Sequence, residues 1–571
     1  MGHRFGHAAD GGGDKMRNLL AFVFAMMAAV PARADAPPMA INLASVRDWS
    51  SAQPFIDVMK SARRWIGHKP GQWGGVEYEE LQARGLLDAQ GWPTAVPGDL
   101  GSIGTVLLTD LPEAATEAFS GRYVLRFEGD GIVEVSGRAQ NTRYRDDEVR
   151  FDFEPGEGPV IIRIQRSNPD DYVRDITVMR EAHVDLYEAG ALFNPDWLAV
   201  VEGFEVLRFM DWSNTNHSDE STWTARAQVD DFSYSRVGVP YEVMLRLSER
   251  VDADAWITLP HLADDSYVSA ACTLLRDALP EGRRIWLEYS NEVWNWQFLQ
   301  AEWAGQQAEA RWGKPDQGTQ FYGMRAAEIA RQCSEIFGDL GQDRLVNVIA
   351  TQTGWLGLEH GILNAPLWQA EAEGNGPPHE AFDAYAVTGY FGALGTQRLA
   401  PLVRDWLNES AETAHAEGRD LGLSGDALAA YVETHRYDLA VTRAAQELSN
   451  GSLSGNPDGT LADLRDRLYP HHAKVAERYG LDLVMYEGGT HVVGVGEVLG
   501  DDALTAFFVH LNYTPEMGAL YLRLLADWQA AGGQLFNHYA GVLKPGRWGS
   551  WGAQRYPGDD NPRWRTLEAW K

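Results

Sequence analysis

The chain contains 571 residues, of which 44% are hydrophobic and 23% charged, a globular composition that argues against extended disorder. Its 49 Lys and Arg against 81 Asp and Glu give a formal net charge of −32, which repels nucleic acids and anionic lipids and favours neutral partners. The 21 Trp outnumber the 20 Phe. Indole faces stack on sugar rings, although Trp also fills protein cores.

The N-terminal 34 residues have the pattern of an export signal. A Met-Arg-Asn start at Met16 leads into an apolar run at residues 19–30, which is followed by an Ala-Arg-Ala sequence ending at Ala34. This order predicts a secretory signal peptide cleaved after Ala34, and the apolar run is too short to span a bilayer. We therefore expect a periplasmic or secreted protein without membrane insertion. Whether residues 1–15 belong to the native protein stays open.

Eight segments rich in β-branched and aromatic residues predict the strands of a (β/α)8 barrel. In chain order they cover residues 41–46, 204–212, 255–259, 285–289, 345–351, 384–390, 481–486 and 534–539. Helical patterns lie between them at residues 241–250, 267–278, 320–337, 365–372 and 503–530. No Gly-rich phosphate-binding turn follows the first segment, which favours a barrel over an open doubly wound sheet.

A long segment between the first and second predicted strands predicts an insertion in the first βα loop. Short alternating patterns at residues 123–127, 132–136, 149–153, 160–165 and 176–180 are typical of an all-β, sandwich-like unit. This unit is either a rigid wall beside the barrel or an accessory carbohydrate-binding module. We divide the chain into a leader and signal (1–34), the barrel start with strand 1 (35–66), the insertion (67–180) and the rest of the barrel (181–571).

A second long segment, residues 392–480, separates the sixth and seventh predicted strands. It contains helical patterns at residues 400–406, 426–449 and 461–479, and a loop rich in Gly, Ser, Asn and Asp at residues 450–460. Elsewhere, Cys272 and Cys333 each fall in a predicted helix. In an exported protein these two residues could form a disulfide, and two buried free thiols are the alternative.

Two of the predicted strands end at glutamates. The fourth runs into Asn291-Glu292, and the seventh stops at Glu487 before two glycines. Glycoside hydrolysis needs two carboxyl groups on either side of one bond, and barrel active sites lie at the carboxyl ends of the strands. We therefore predict Glu292 and Glu487 as catalytic residues. Glu288 lies within the strand and is interpreted as a structural ion-pair residue.

This pattern resembles the retaining glycoside hydrolases of clan A, the 4/7 superfamily of (β/α)8 enzymes, and is similar to family 5-like enzymes at clan level. The resemblance covers the barrel segments and not the insertion. It implies that Glu292 is the general acid/base, that Glu487 is the nucleophile, and that Asn291 binds the sugar 2-hydroxyl. The family geometry implies carboxyl oxygens ~5 to 5.5 Å apart.

The resemblance implies three further site residues. Arg208 would keep the nucleophile ionised, His261 would occupy the family histidine position after strand three, and Tyr390 would hydrogen-bond the nucleophile. From the residues alone, Arg208 could instead pair with Asp211, and His261 could be a core histidine. Two positions depart from family 5: residues 388–390 are Thr-Gly-Tyr rather than His-x-Tyr, and residues 537–539 are Asn-His-Tyr where a Trp usually ends strand eight.

Aromatic residues after strands four, five and eight are candidate sugar-binding platforms at the mouth of the barrel, with core packing as the alternative. The substrate-binding candidates in these loops and at strand eight are Trp294, Trp296, Trp355, His538, Trp548 and Trp551.

Together these features predict an exported retaining β-glycoside hydrolase that acts on a neutral β-linked polysaccharide or oligosaccharide, with a β-glucan or cellulose-like chain favoured. No metal site or cofactor is predicted, because motifs for serine hydrolases, zincins, nucleotide binding and CxxC redox chemistry are missing from the sequence. The alternative is a non-catalytic carbohydrate-binding protein on a glycosidase-like barrel. Sugar, linkage, endo or exo action and oligomeric state are left open.

Overall fold

The computed structural model describes residues 36–571, so the predicted signal peptide lies outside the described residues. Seventeen strands occur in this range. They are β1 (Met39–Asn42), β2 (Ile66–His68), β3 (Gly75–Val76), β4 (Ser102–Leu107), β5 (Gly121–Glu128), β6 (Gly131–Gly137), β7 (Gln140–Tyr144), β8 (Glu148–Phe153), β9 (Val160–Ser167), β10 (Arg174–Arg180), β11 (Val206–Arg208), β12 (Asp254–Leu259), β13 (Ile285–Tyr289), β14 (Leu345–Ala350), β15 (Ala384–Gly392), β16 (Asp482–His491) and β17 (Phe536–His538).

Strands β1 and β11 to β17 close into a parallel eight-stranded barrel with helices around it. Closure is complete because β1 pairs with β11 on one side and with β17 on the other. Residues on β12 and β13 are buried throughout, as expected for strands covered by helices on one face and filling the barrel on the other. All eight predicted barrel strands are confirmed, although β11 is shorter and β16 longer than predicted.

The helices pack outside the barrel and in its long loops. Their ranges are Tyr78–Ala83, Thr116–Phe119, Val184–Glu188, Pro195–Val201, Tyr241–Val251, Asp265–Ala278, Leu299–Trp312, Gly318–Phe337, Gly341–Arg344, Leu358–Asn364, Pro366–Gln369, Ala400–Asp420, Gly425–His435, Asp438–Asn450, Leu461–Asp463, Tyr469–Tyr479, Asp502–Leu511, Pro515–Ala530 and Pro562–Trp570. Within residues 36–571, no helix has the length and hydropathy needed to cross a bilayer.

The single helix predicted at residues 503–530 is wrong, because the chain forms two helices there. Thr514 caps the second helix by accepting a hydrogen bond from the Met517 amide, and Pro515 occupies its first turn. Proline lacks an amide hydrogen and suits the first turn but not a helix interior, so the helical pattern is interrupted at this point.

The insertion between β1 and β11 contains two antiparallel sheets. One has the order β10-β5-β8-β7 and the other β3-β2-β4-β9-β6. Side chains from both sheets, including Ile103, Val135, Tyr123, Phe151 and Ile162, share one hydrophobic cluster separate from that of the barrel. The sequence predicted five of these strands and missed β2, β3, β4 and β7. Strand β7 was missed because its residues are mostly polar and exposed.

The segment between β15 and β16 folds over the carboxyl end of the barrel. Its Gly-rich loop is hydrogen-bonded to the end of β15, because the Gly392 amide donates to the Gly459 carbonyl at 2.8 Å. Glu447 Oε2 also accepts hydrogen bonds from the amides of Leu453 and Ser454. A π-helical turn, Leu464–Leu468, then leads into the helix Tyr469–Tyr479.

Cys272 and Cys333 form a disulfide between the helices Asp265–Ala278 and Gly318–Phe337. Their Cα atoms are 5.5 Å apart, and both residues are fully buried. The bond therefore joins two adjacent helices of the barrel wall. Of the two alternatives that the sequence left open, the structure shows the disulfide and not two free thiols.

We predict that replacing both cysteines (Cys272→Ala with Cys333→Ala) lowers the free energy of unfolding by about 4 kcal/mol, because the crosslink restricts a loop with a sequence separation of 61 in the unfolded chain. Denaturant titration of the oxidised and variant proteins measures this difference. Equal unfolding midpoints would contradict the prediction, and a reductant should shift only the midpoint of the wild type.

Candidate active site

A cavity of about 1130 Å³ opens at the carboxyl ends of the barrel strands. Asn291 and Glu292 line it from the loop after β13, Tyr390 from β15, Glu487 from β16 and Tyr539 from the segment after β17. Drug-sized ligand sites measure about 300–1,000 Å³, so this cavity has room for an extended ligand. The sequence-predicted carboxylates therefore line the same cavity.

Arg208, the last residue of β11, lies fully buried under this cavity. Its Nη1 donates to Glu487 Oε1 at 2.9 Å, and its Nη2 and Nε donate to Glu288 Oε2 at 2.8 and 3.2 Å. The interpretation of Glu288 as an ion-pair residue is confirmed. Arg208 forms no ion pair with Asp211, whose Oδ2 instead accepts from Tyr539 Oη at 3.2 Å.

Both carboxylate oxygens of Glu487 are held by donors. Arg208 binds Oε1, and Tyr390 Oη donates to Oε2 at 2.9 Å. Burial raises the pKa of Glu487 to about 8, opposed by Arg208 and by the Tyr390 hydroxyl and reinforced by the negative charge of Glu292. Burial thus favours the protonated form of Glu487, and the two donors favour its ionised form.

Glu292 has different neighbours. Its Oε1 accepts from Tyr486 Oη and its Oε2 from Asn295 Nδ2, both at 2.9 Å. Its backbone has a φ of 43°, and Ser290, two residues earlier, has a φ of 61°. Residues other than glycine rarely adopt positive φ, and such conformations cluster at functional sites. The strained turn directs Asn291 and Glu292 towards the cavity.

Asn291 connects the cavity wall to the buried cation. Its Oδ1 accepts from Arg208 Nη2 at 2.9 Å, and its Nδ2 donates to Asn216 Oδ1 at 3.1 Å. The hydrogen bond from Arg208 fixes the orientation of the amide, so Nδ2 is the group that faces Asn216, which also lines the cavity.

A bulge explains how two consecutive residues of β16 reach the same cavity. Val387 pairs with Met485 and Thr388 with Glu487, which leaves Tyr486 as the extra residue. Regular alternation would turn Tyr486 away from Glu487, whereas a bulge redirects one of the two side chains. Both residues consequently line the cavity, and the hydroxyl of Tyr486 reaches Glu292.

The predicted tryptophans divide into three groups. Trp296 and Trp355 line the cavity and are 66% and 57% exposed, so their faces are free to stack. Trp294 and Trp551 also line it, but Trp294 packs against Tyr486 and Trp551 lies edge-on to Tyr390. Trp548 is 71% exposed and does not line the cavity.

Two predicted histidines lie away from the cavity wall. His261 is buried, packs edge-on against Trp303 and has its pKa lowered to about 4 by burial. His538 is fully buried against Tyr521, and burial lowers its pKa well below the usual range. Neither residue lines the cavity; His261 therefore takes its core alternative, and His538 is also a core residue.

Several cavity residues were not predicted from the sequence. The segment after β15 contributes Asp458, Asp463 and Arg467, and Arg467 is bound to both oxygens of the buried Asp463 at 2.7 and 2.9 Å. Tyr486 and Asn295 were missed as well. Asn295 could have been predicted from its spacing, because a polar side chain three residues after Glu292 in the same turn can reach the Glu292 carboxylate.

Comparison with known proteins gives no family for this chain. No family model matches it, and no curated protein matches it. Within residues 36–571 there is also no group of three or more His, Cys, Asp or Glu arranged to hold a metal ion. The functional interpretation therefore depends on the geometry of the cavity.

We predict that Arg208→Leu lowers the free energy of unfolding by about 3–5 kcal/mol, because it leaves the buried Glu288 without its cation. Burial raises the pKa of Glu288 and Arg208 opposes this, so the variant's folded state binds protons more tightly than its unfolded state. The difference in the free energy of unfolding between the wild type and Arg208→Leu should therefore decrease as pH falls from 7 to 5. Urea unfolding at both values measures it.

Arg246→Leu provides the matched control, because Arg246 is exposed and should change stability by less than about 0.5 kcal/mol. A deficit for Arg208→Leu that does not change with pH would contradict the role of Arg208 as the counter-ion of a buried carboxylate.

Proposed function

We propose that this protein hydrolyses β-glycosidic bonds with retention of configuration, using Glu487 as the nucleophile and Glu292 as the general acid/base. The observation that carries the proposal is that two carboxyl groups with unlike neighbours line one cavity. Glu487 contacts a buried guanidinium and a tyrosine hydroxyl, whereas Glu292 contacts a tyrosine hydroxyl and an asparagine amide. This asymmetry supports separate roles for the two groups.

In the first step a Glu487 oxygen attacks the anomeric carbon while the bond to the leaving oxygen breaks, and Glu292 transfers its proton to that oxygen. In the second step Glu292 takes a proton from water, the water oxygen attacks the anomeric carbon, and the carboxylate of Glu487 leaves. Arg208 and Tyr390 stabilise the carboxylate that is released. Asn291, which lines the cavity, would bind the sugar 2-hydroxyl.

We propose a neutral β-linked glycan as the substrate, with a β-glucan or cellulose-like chain favoured. The exposed faces of Trp296 and Trp355 at the cavity support stacking on sugar rings, and the cavity volume supports more than one ring. The clan-level similarity of the Asn291-Glu292 and Glu487 positions agrees with this substrate class. No cofactor enters the mechanism.

We also propose that the protein is exported and that the insertion forms a sandwich-like unit. The N-terminal pattern ending at Ala34 supports export to the periplasm or outside the cell. The shared hydrophobic cluster supports a sandwich-like arrangement of the two insertion sheets, and residues 67–180 would then form a unit beside the catalytic barrel of residues 35–66 and 181–571.

We predict that Glu292→Gln and Glu487→Gln each lower kcat on the substrate by at least about 10²-fold, because each removes a group that forms or breaks bonds. Reducing-sugar release from neutral β-glucans, mannans and xylans measures this. The control is Glu302→Gln, which changes an exposed carboxylate and should behave as the wild type. Full activity in either catalytic variant would contradict the assignment, and no release by the wild type from any glycan would favour a binding protein.

We predict a bell-shaped pH profile for kcat/KM, because Glu487 must be ionised while Glu292 keeps its proton; burial raises the pKa of Glu487 to about 8, and its ionisation sets one limb. Tyr390→Phe removes a hydrogen bond to the ionised form and should move this limb to higher pH by about one unit. Tyr289→Phe is the control, since Tyr289 Oη donates to the His261 carbonyl away from Glu487. Superimposable pH profiles for Tyr390→Phe and wild type would count against this role.

A further inference from the structure

The outer face of the four-stranded insertion sheet carries a groove lined by four arginines. The groove measures about 100 Å³, and its lining residues are Arg122, Asn141, Arg143, Arg145, Arg150 and Phe151. No carboxylate is among them, although the chain as a whole has a net charge of −32. The lining of the groove is therefore basic on an acidic protein.

Strand geometry brings these side chains together. Asn141 and Arg143 lie on β7 and Arg145 directly follows it, while a bulge between Gln140 and Arg143 interrupts the regular alternation of this strand. Arg143 lies directly opposite Arg150 of β8 in the antiparallel register. Like charges placed opposite each other destabilise a sheet. Glu148 and Glu181 offset the charge of Arg150, whereas no carboxylate pairs with Arg143, so a bound anion would relieve the remaining repulsion.

Carboxylates neutralise only one side of the groove. Arg122 pairs with Asp152, and Arg150 pairs with Glu148 and Glu181. Arg143 and Arg145 are exposed and take part in no ion pair within residues 36–571. Their guanidinium groups remain free to bind a ligand.

We infer that this groove binds an oxyanion group, a sulfate ester or a carboxylate, carried by a polysaccharide. A volume of about 100 Å³ equals about three water molecules and suits one such group. Guanidinium groups bind planar or tetrahedral oxyanions through paired hydrogen bonds.

The anion site itself is independent of the cavity in the barrel, whereas the choice of a polysaccharide as carrier rests on the proposed function. Residues 67–180 would then hold charged regions of a glycan while the barrel acts on uncharged regions. The groove gives the insertion a binding role beyond that of a rigid wall.

The test uses the whole protein at low salt with three polymers that share one backbone: dextran sulfate, carboxymethyl dextran and unmodified dextran. We expect binding to at least one charged dextran and none to the neutral one, and the preferred polymer distinguishes sulfate from carboxylate. Arg143→Gln with Arg145→Gln should weaken binding by at least about tenfold through lost charge-assisted hydrogen bonds.

Arg166→Gln with Arg246→Gln is the matched control, because it removes the same charge from two exposed arginines outside the groove. Equal loss in both double variants, or no binding to either charged dextran, would overturn the inference. The thermal midpoint of the groove variant should equal or exceed that of the wild type, which shows that the sheet still folds. Glu292→Gln should bind like the wild type, so failure of this inference and failure of the proposed hydrolysis give different results.

Discussion

The structure of the cavity depends on one buried cation. The guanidinium of Arg208 donates hydrogen bonds to Glu288, Glu487, Asn42 and Asn291, which belong to β13, β16, β1 and the loop after β13. Barrel interiors are normally filled by branched apolar side chains, and buried charges are costly unless every polar group is satisfied. Here one side chain satisfies several acceptors at once. The polar layer under the cavity is therefore a single connected network.

The same network determines the chemistry available to the cavity. Glu487 depends on Arg208 and Tyr390 for its ionised form, because burial alone favours its protonated form. Glu292 lies in a turn with positive φ angles. It contacts Tyr486, which a bulge in β16 brings into the same cavity. The two carboxyl groups thus reach one cavity through different structural devices. Two unlike environments for two acids are what double displacement requires.

Much of this arrangement follows from local sequence. All eight barrel strands were predicted because buried parallel strands are runs of β-branched and aromatic residues, and strand ends located Glu292 and Glu487. Tyr486 was not predicted, because a bulge changes the side-chain alternation that a sequence pattern assumes. Arg467 comes from a distant loop that folds over the cavity, and His538 was wrongly placed at the cavity because strand position alone does not show which side chains are covered.

The most direct test of the central claim is to trap the glycosyl-enzyme. A 2-deoxy-2-fluoro-β-glycoside with a good leaving group slows the second step, so the sugar should stay attached to the nucleophile. Mass spectrometry of peptides from the treated protein should find the label on Glu487, with no label in Glu487→Gln. A label on Glu292 or another carboxylate, or turnover with no trapped sugar and inverted product, would contradict the account.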